Sequence, residues 1–508
     1  MIAETASPAP NESTEVVELK RQLHWALLKI EVLEERLRLQ RIQKYGPGSE
    51  KLSDAQLELL EQEPGVSNLE VQAESQREPL PERTKRERPR RHPGRQELPA
   101  DLPRVGRLIA CTPEQCNCKS CGQPMTVIGH DQSEQLDVEP AKYFVLVTTR
   151  EKRACRSCEQ GGVAAAPVPA RIIDKSLVSD RVVIDTVISK YSDHLPLYRQ
   201  SAILERETGV EISRATLDGW VMRVGTLLIP MAAAMGRELV GGSYIQADET
   251  PVDVQMHDGR GQNHQAYLWQ YSRPGGSVVF DFRLGRVREG PKVFLGNFEG
   301  RLQTDGCVAY EKVGGPKLVH ACCWTHARRK FFEAHQLSPG ESVAKGIVLL
   351  INQLFGIDAE ARAQSCDLAA RDALRQQQAR PLLDTIQQTI EAARGQALPS
   401  SKLGSAIAYT QTLWAKLTRF LDYPELELSN NLAENSMRPV ALGRKNWIHI
   451  GSPQAGPKVA AILSVVETCR RLTIPARQYL AAVLPGLAEI SIQRLTELTP
   501  AAWAARNR

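Results

Sequence analysis

The stretch from Ser243 to Cys323 constrains the fold most. SYIQADE, QAYLWQYSR and SVVFDFR are short β-branched or aromatic runs, parted by the turn segments HDGRGQN and PGG. A helix-like run, Arg288 to Phe298, follows, then RLQTDG reads as a fourth strand and KLVHACC as a fifth. Three strands in meander, a helix and two more strands call for a mixed α+β core, with little room for a helix between the last two strands.

That order is the one found in ribonuclease-H-like folds, where a first acid lies on strand one and a second at the end of strand four. Asp248 in SYIQADETPV and Asp305 in RLQTDGCVAY fall in those slots. A third acid, Glu434, lies on a predicted helix within LSNNLAENSMRPVALGRKNWIHIGS, beside Arg438 and ahead of a predicted basic loop at Gly443, Arg444 and Lys445. The three acids are expected to meet and hold divalent metal for phosphodiester chemistry on DNA. Two hard cations about 4 Å apart bracket the attacking and leaving oxygens of such a reaction. Mg²⁺, which takes oxygen ligands and keeps waters, needs only a few carboxylates. Asp248 is the candidate bridge, with Asp305 and Glu434 completing either side.

Each acid has a plainer reading. Asp248 precedes Glu249 and Thr250 and can cap a turn, and Glu249 is its alternative as metal ligand. Asp305 sits in Asp-Gly, a common turn pair. Glu434 stands four residues before Arg438, the spacing of a helical ion pair. Arg438, Arg444 and Lys445 are candidates for phosphate contacts, and Trp447 for stacking on a base or for the core. His326, Arg328 and Arg329 open a helix beside the site and are candidate DNA contacts, with a packed, hydrogen-bonded histidine the alternative for His326.

Upstream, Val16, Leu19, Leu23, Ala26, Ile30, Leu33 and Leu37 form an a/d seam over about three heptads, which predicts a coiled-coil dimer across residues 14–45. One amphipathic helix packed on its own chain is the other reading. Tyr45-Gly46-Pro47-Gly48 ends it. Residues 61–104 are rich in Pro, Glu and Arg without periodicity and predict a disordered linker. Its basic block (Arg83, Lys85, Arg86, Arg88, Arg90, Arg91 and Arg95 against Glu87) is also suited to phosphate.

The chain has eleven cysteines, an odd number, and no secretory signal pattern, so local pairs are read as metal ligands rather than disulfides. Cys118/Cys121 and Cys155/Cys158 supply four thiolates for a structural Zn²⁺ in a zinc ribbon over 105–165, with Cys116 able to replace Cys118 and free thiols the alternative. Residues 172–240 read as helical, and Leu197 to Val224 as two helices about a turn at Gly209, the second capped by Ser213. That pattern suits a DNA-binding helix-turn-helix or an ordinary helix pair equally. A catalytic domain over 241–455 carries an all-α insertion at about 335–425, and 456–508 are helical. No apolar run approaches the ~20 residues of a membrane span, so a cytoplasmic protein is expected.

In sequence order the zipper, YGPGSEKL, CNCKSCG with CRSC, DHLPLYRQ, ADETPV, TDGCVAY, CCWTHARRKFFE and NNLAENSMRPVALGRKNW resemble the insertion-sequence-66 family of bacterial transposases. The resemblance runs from the zipper nearly to the C-terminus. It implies an acid-triad transposase with Asp248, Asp305 and Glu434 as catalytic ligands of two Mg²⁺ or Mn²⁺ ions, and structural Zn²⁺ on the named cysteines. It further implies binding to the terminal inverted repeats of its own element, cleavage there, and attack of the freed 3′-hydroxyl on target double-stranded DNA. A homodimer and accessory proteins of the same element are the implied partners. Relatives usually carry Asp before the paired asparagines, where this chain has Ser429. A zinc-containing DNA-binding regulator and a nuclease without strand transfer are the competing readings.

Overall fold

The structure is a computed structural model that describes residues 143–154, 163–165, 167–174, 176–256, 263–338, 342–447 and 449–506. The zipper at 14–45, the linker at 61–104 and Cys118, Cys121, Cys155 and Cys158 lie outside the described residues. Residues 143–147 belong to one unit, Glu82–Val147, and all that follows belongs to another. That second unit begins with an antiparallel hairpin of β1 (Lys152–Ala154) and β2 (Val163–Ala165), in which Ala154, the residue before Cys155, pairs with Val163.

Three helices follow, α1 (Asp180–Tyr191), α2 (Leu197–Thr208) and α3 (Arg214–Val240). Gly209 ends α2 at φ 71°, in the left-handed region that glycine enters without strain, and the Ser213 hydroxyl accepts the Thr216 N–H to cap α3. Among the described residues, α3 alone is long and apolar enough to cross a membrane. Its Leu217, Val221, Val224, Leu228, Met231 and Met235 are instead buried in one core with the sheet. The longest helix of the 172–240 segment thus packs on the sheet and shares its core.

The sheet comprises β3 (Tyr244–Gln255), β4 (Asn263–Ser272), β5 (Val278–Arg283), β6 (Arg301–Thr304) and β7 (Val319–Cys322), in the order β5-β4-β3-β6-β7. The first three form an antiparallel meander, while β6 runs parallel to β3 and β7 parallel to β6. A short helix, α4 (Glu289–Leu295), leads into β6, and only a 3₁₀ turn, Val308–Tyr310, lies between β6 and β7.

β3 runs several residues past the expected SYIQADE, through Pro251. The proline fits because β6 pairs with β3 only as far as Gln246, so beyond it one side of β3 asks for no N–H from Pro251. A return of the chain covers part of that side, where Ile450 bridges to Val254. The other edge of the sheet is closed by α11 (Gly456–Arg471). Ser464 and Thr468 hydroxyls accept the Phe280 and Val278 N–H groups at 2.8 and 2.9 Å, so β5 offers no bare edge there. α11 crosses α3 so closely that a Cβ at Gly225 would meet Lys458 Cβ at 2.6 Å.

Between β7 and the third acid come α5 (Trp324–Leu337), α6 (Ser342–Ala363), α7 (Leu368–Leu374), a π-type turn at Arg375–Ala379, α8 (Arg380–Arg394) and α9 (Lys402–Leu417). They share a second core with Tyr244, Ala321 and Cys322 of the sheet. The chain then returns through Leu426 to Asn430 into α10 (Asn431–Trp447), and α12 (Ala476–Val483) and α13 (Pro500–Arg506) end the fold. Gly443, Arg444 and Lys445 are helical, not a loop. Trp447 folds back over Gly443, where any Cβ would strike its indole at 2.3 Å, so the glycine makes room for a packing contact and does not end the helix.

Candidate active site

The β3–β6 ladder places the first two acids. Its last pair is Gln246 with Gln303, and the same offset carried two residues on sets Asp248 beside Asp305, just past the end of β6. Asp248 Oδ1 accepts the Glu249 N–H at 2.9 Å. Asp305 opens a turn, its Oδ1 accepting the Cys307 N–H at 2.8 Å around Gly306 at φ 91°. The turn reading of Asp-Gly and the site reading thus describe one geometry. From the insertion, Tyr409 donates its hydroxyl to the Asp305 carbonyl at 2.6 Å, and the Lys330 ammonium lies 4.7 Å from the Tyr409 ring centre.

Glu434 arrives on the first turn of α10, where the helix dipole favours an anion. It is 1% exposed, and neither carboxylate oxygen has a hydrogen-bond partner. The helical ion pair to Arg438 does not form. Its nearest basic neighbour is His326, whose Nδ1 lies 3.5 Å from Oε1. Asn430, Asn431 and Thr325, in the same two stretches, also keep side-chain polar atoms buried without partners.

Charge ties the three acids together. Burial, then the carboxylates of Glu434, Glu249 and Asp305, push the Asp248 carboxyl well above the usual carboxylate range. For His326, burial works against the imidazolium, but Glu434, Cys323 and Asp305 outweigh it and lift the ring to about 9. Glu249, the alternative to Asp248, is otherwise engaged: Arg286 pairs with its Oε1 at 2.6 Å and Tyr310 donates to its Oε2 at 3.1 Å. A buried carboxylate is costly unless a cation meets it, and beside Glu434 the structure offers the His326 ring at 3.5 Å. Three carboxylates that press on one another electrostatically, one with neither oxygen hydrogen-bonded, are the hard oxygen donors that Mg²⁺ or Mn²⁺ prefers.

The expected phosphate contacts are placed unevenly. Lys445 is exposed, and Arg438 and Arg329 are half-buried. Arg444 donates to the Pro251 carbonyl at 2.6 Å, tying α10 to β3, and burial lowers its pKa. Trp447 is half-buried against the main core. Arg328 donates to Asn352 at 2.6 Å. An open cleft of about 610 Å³, lined by Arg286, Arg288, Asp305, Cys307, Val308 and Tyr409, adjoins the second acid.

Two features escaped the sequence reading. Cys323 stands with His326 and Glu434, its Sγ within 4.8 Å of their ligand atoms. The C-x-x-H spacing in CCWTH was the available signal. The other is Arg375, 1% exposed, which donates to both Asp358 oxygens at 2.8 and 2.7 Å and to the carbonyls of Phe420, Pro424 and Leu426. It fastens the segment that delivers Glu434, and nothing local in RDALRQQQAR marks it.

Three family models match the chain. One described as Transposase IS66 family covers residues 175–458, one described as the zinc-finger binding domain of transposase IS66 covers 115–159, and one described as Transposase C of IS166 homeodomain covers 32–107. Among curated proteins, the uncharacterized protein y4qI of Sinorhizobium fredii is 32% identical over 473 residues, 89% of this chain and 84% of its own length. Its y4jD is 32% identical over 425 residues, 80% of this chain and 82% of its own length. Its y4hP is 29% identical over 500 residues, 94% and 88% of the two lengths. With the first model spanning more than half of the chain and all three falling in the order of zipper, zinc finger and acid-bearing core, the chain belongs to the Transposase IS66 family.

Proposed function

We propose that the protein binds the terminal inverted repeats of its insertion sequence through its zinc-finger region, cuts the DNA there and joins the freed 3′ end to a target. In this reading the five-stranded sheet is a ribonuclease-H-like core, and Asp248, Asp305 and Glu434 hold divalent cations, Mg²⁺ or Mn²⁺. The observation that carries it is Glu434, buried with neither oxygen hydrogen-bonded and pressing electrostatically, with Asp305, on Asp248.

Bound ions would polarise the attacking oxygen and offset charge at the scissile phosphate. The chain supplies the rest. Asp305 is oriented by its own turn and by Tyr409. Asp248 is fixed by the β3–β4 ladder, and Arg286 holds Glu249 out of the site. Lys445, exposed on the last turn of α10, is the residue there best placed to meet DNA phosphate. The four cysteines at 118, 121, 155 and 158 suit a closed tetrahedral zinc, so freshly purified protein is expected to carry about one zinc per chain. A dimer through the zipper would let one assembly hold both ends of the element, acting in the cytoplasm where that DNA lies.

The deciding assay supplies element-end DNA, target DNA and Mg²⁺. Joined products are expected. Nicking without joining would replace the reading by a nuclease, and binding with neither would leave a regulator. Asp305→Asn is expected to keep end binding while losing cleavage, and retained cleavage in that variant would remove Asp305 from the site.

A further inference from the structure

Asp248 and Asp305 bring only oxygen to Glu434, but the same carboxylate also has sulfur and nitrogen beside it. Cys323 Sγ, a His326 ring nitrogen and a Glu434 oxygen lie within 4.8 Å of one another, and His326 Nδ1 is 3.5 Å from Glu434 Oε1. His326 Nδ1 and both Glu434 oxygens are buried without hydrogen-bond partners. Cys323 is fully buried, and its Sγ accepts the Asn430 N–H at 3.4 Å, a bond that suits a metal-bound thiolate. The backbone builds this grouping. Cys323 is the N-cap of α5 and His326 lies three residues on, so the two share a face of the first turn. Trp324 N–H donates to the Leu428 carbonyl at 2.9 Å, drawing in the segment that carries Glu434.

Ligand atoms of a tetrahedral ion bound at 2.0–2.3 Å sit roughly 3.3–3.8 Å apart, so closure here asks for shifts of about 1 Å. Side-chain rotation covers that. Thiolate, imidazole and carboxylate together are a donor set for a borderline-soft cation, whereas Mg²⁺ gains little from sulfur. The His326 side chain is 21% exposed and leaves a way in.

We propose that Cys323, His326 and Glu434 form a binding site for a thiophilic divalent cation of the zinc class, and that such an ion, by taking Glu434, shuts out the hard cations of the catalytic site. The second half rests on Glu434 being a catalytic ligand; the first half does not.

The full-length protein, carrying its own zinc, is titrated with Co²⁺ beside Cys323→Ser and His326→Gln. The wild type is expected to gain a sulfur-to-cobalt charge-transfer band and tetrahedral d–d bands for one further equivalent. The difference from Cys323→Ser isolates this site, because any exchange into the C-x-x-C pairs is common to all three proteins. His326→Gln, which keeps the thiol, should weaken cobalt binding at least tenfold. Superimposable wild-type and Cys323→Ser spectra would overturn the site. In the cleavage assay, with each protein measured against its own zinc-free rate, Cys323→Ser should need at least tenfold more zinc for half-inhibition. Equal sensitivity would overturn the competition with the catalytic cation. A cobalt band in a protein that never cuts DNA would support the metal site while removing the catalytic reading.

Discussion

Asp248→Asn is expected to abolish DNA cleavage and, in EDTA, to melt at a higher temperature than the wild type. The first half follows from losing one of the three carboxylates proposed to hold the metal. The electrostatic help an ion gives the transition state is worth several kcal/mol, and each 1.36 kcal/mol is tenfold in rate, so a loss of about a thousandfold or more is expected. The second half follows from the sign of the Asp248 shift. Its carboxyl is pushed up by burial and by Glu434, Glu249 and Asp305. A group whose folded value lies above the unfolded value of about 3.9 favours folding only in acid, and that contribution is lost as pH climbs through the folded value. Near pH 7 the fold therefore carries the cost of burying this carboxyl beside other acids. Asparagine removes that acid and can still accept the Glu249 N–H through its Oδ1. A gain of about 1 kcal/mol, or a few degrees, is the scale to look for. Mg²⁺ should then raise the wild-type melting temperature and leave that of Asp248→Asn nearly unmoved. A melting temperature in EDTA below wild type would show that Asp248 is a structural carboxylate, and the metal reading would fail with it.

Much of this site was legible because strand patterning carries register. SYIQADE and RLQTDG are both β-rich runs with an aspartate second from the end, and once they pair in parallel the two acids have to be neighbours. Glu434 was legible only jointly, since a lone acid four residues before an arginine has a commoner explanation that the structure happens not to use. The errors come from tertiary context. GRKN looks like a loop because glycine weakens a helix, but Gly443 is there to admit Trp447. SYIQADE looks like the whole first strand because Pro251 resembles a terminator. No ladder partner asks for its N–H on one side, so the strand continues. The 172–240 run reads as helical, and only its buried faces reveal that the longest helix packs in one core with the sheet. The Arg375 cluster was invisible for the same reason, as its partners lie 17 to 51 residues away.

That cluster gives the other large effect. Arg375→Met is expected to destabilise the protein by about 3–5 kcal/mol, the usual result of breaking a buried ion pair by removing one partner. Burial would raise the Asp358 carboxyl, but Arg375 and Arg371 more than offset it and hold it below the usual range. Its contribution is therefore full at neutral pH and lost only as pH falls below about 4. Methionine leaves Asp358 to Arg371 alone and strips a donor from the Phe420, Pro424 and Leu426 carbonyls. Those carbonyls belong to the stretch that continues through Glu427, whose carbonyl accepts from Gln303, and Ser429, whose carbonyl accepts from Gln246, into the helix of Glu434. Cleavage should fall with kcat more than with KM, because what this stretch holds is the approach of Glu434. The double variant Asp358→Leu/Arg375→Met separates charge from geometry. Replacing a buried pair by apolar groups of similar size is often neutral, so the double variant should recover most of the melting temperature. Its cleavage should stay low, because the three carbonyls remain unheld and Glu434 loses its fixed approach. Recovery of stability and cleavage together would mean that the insertion helices alone place the third acid, and that Arg375 serves only to neutralise Asp358.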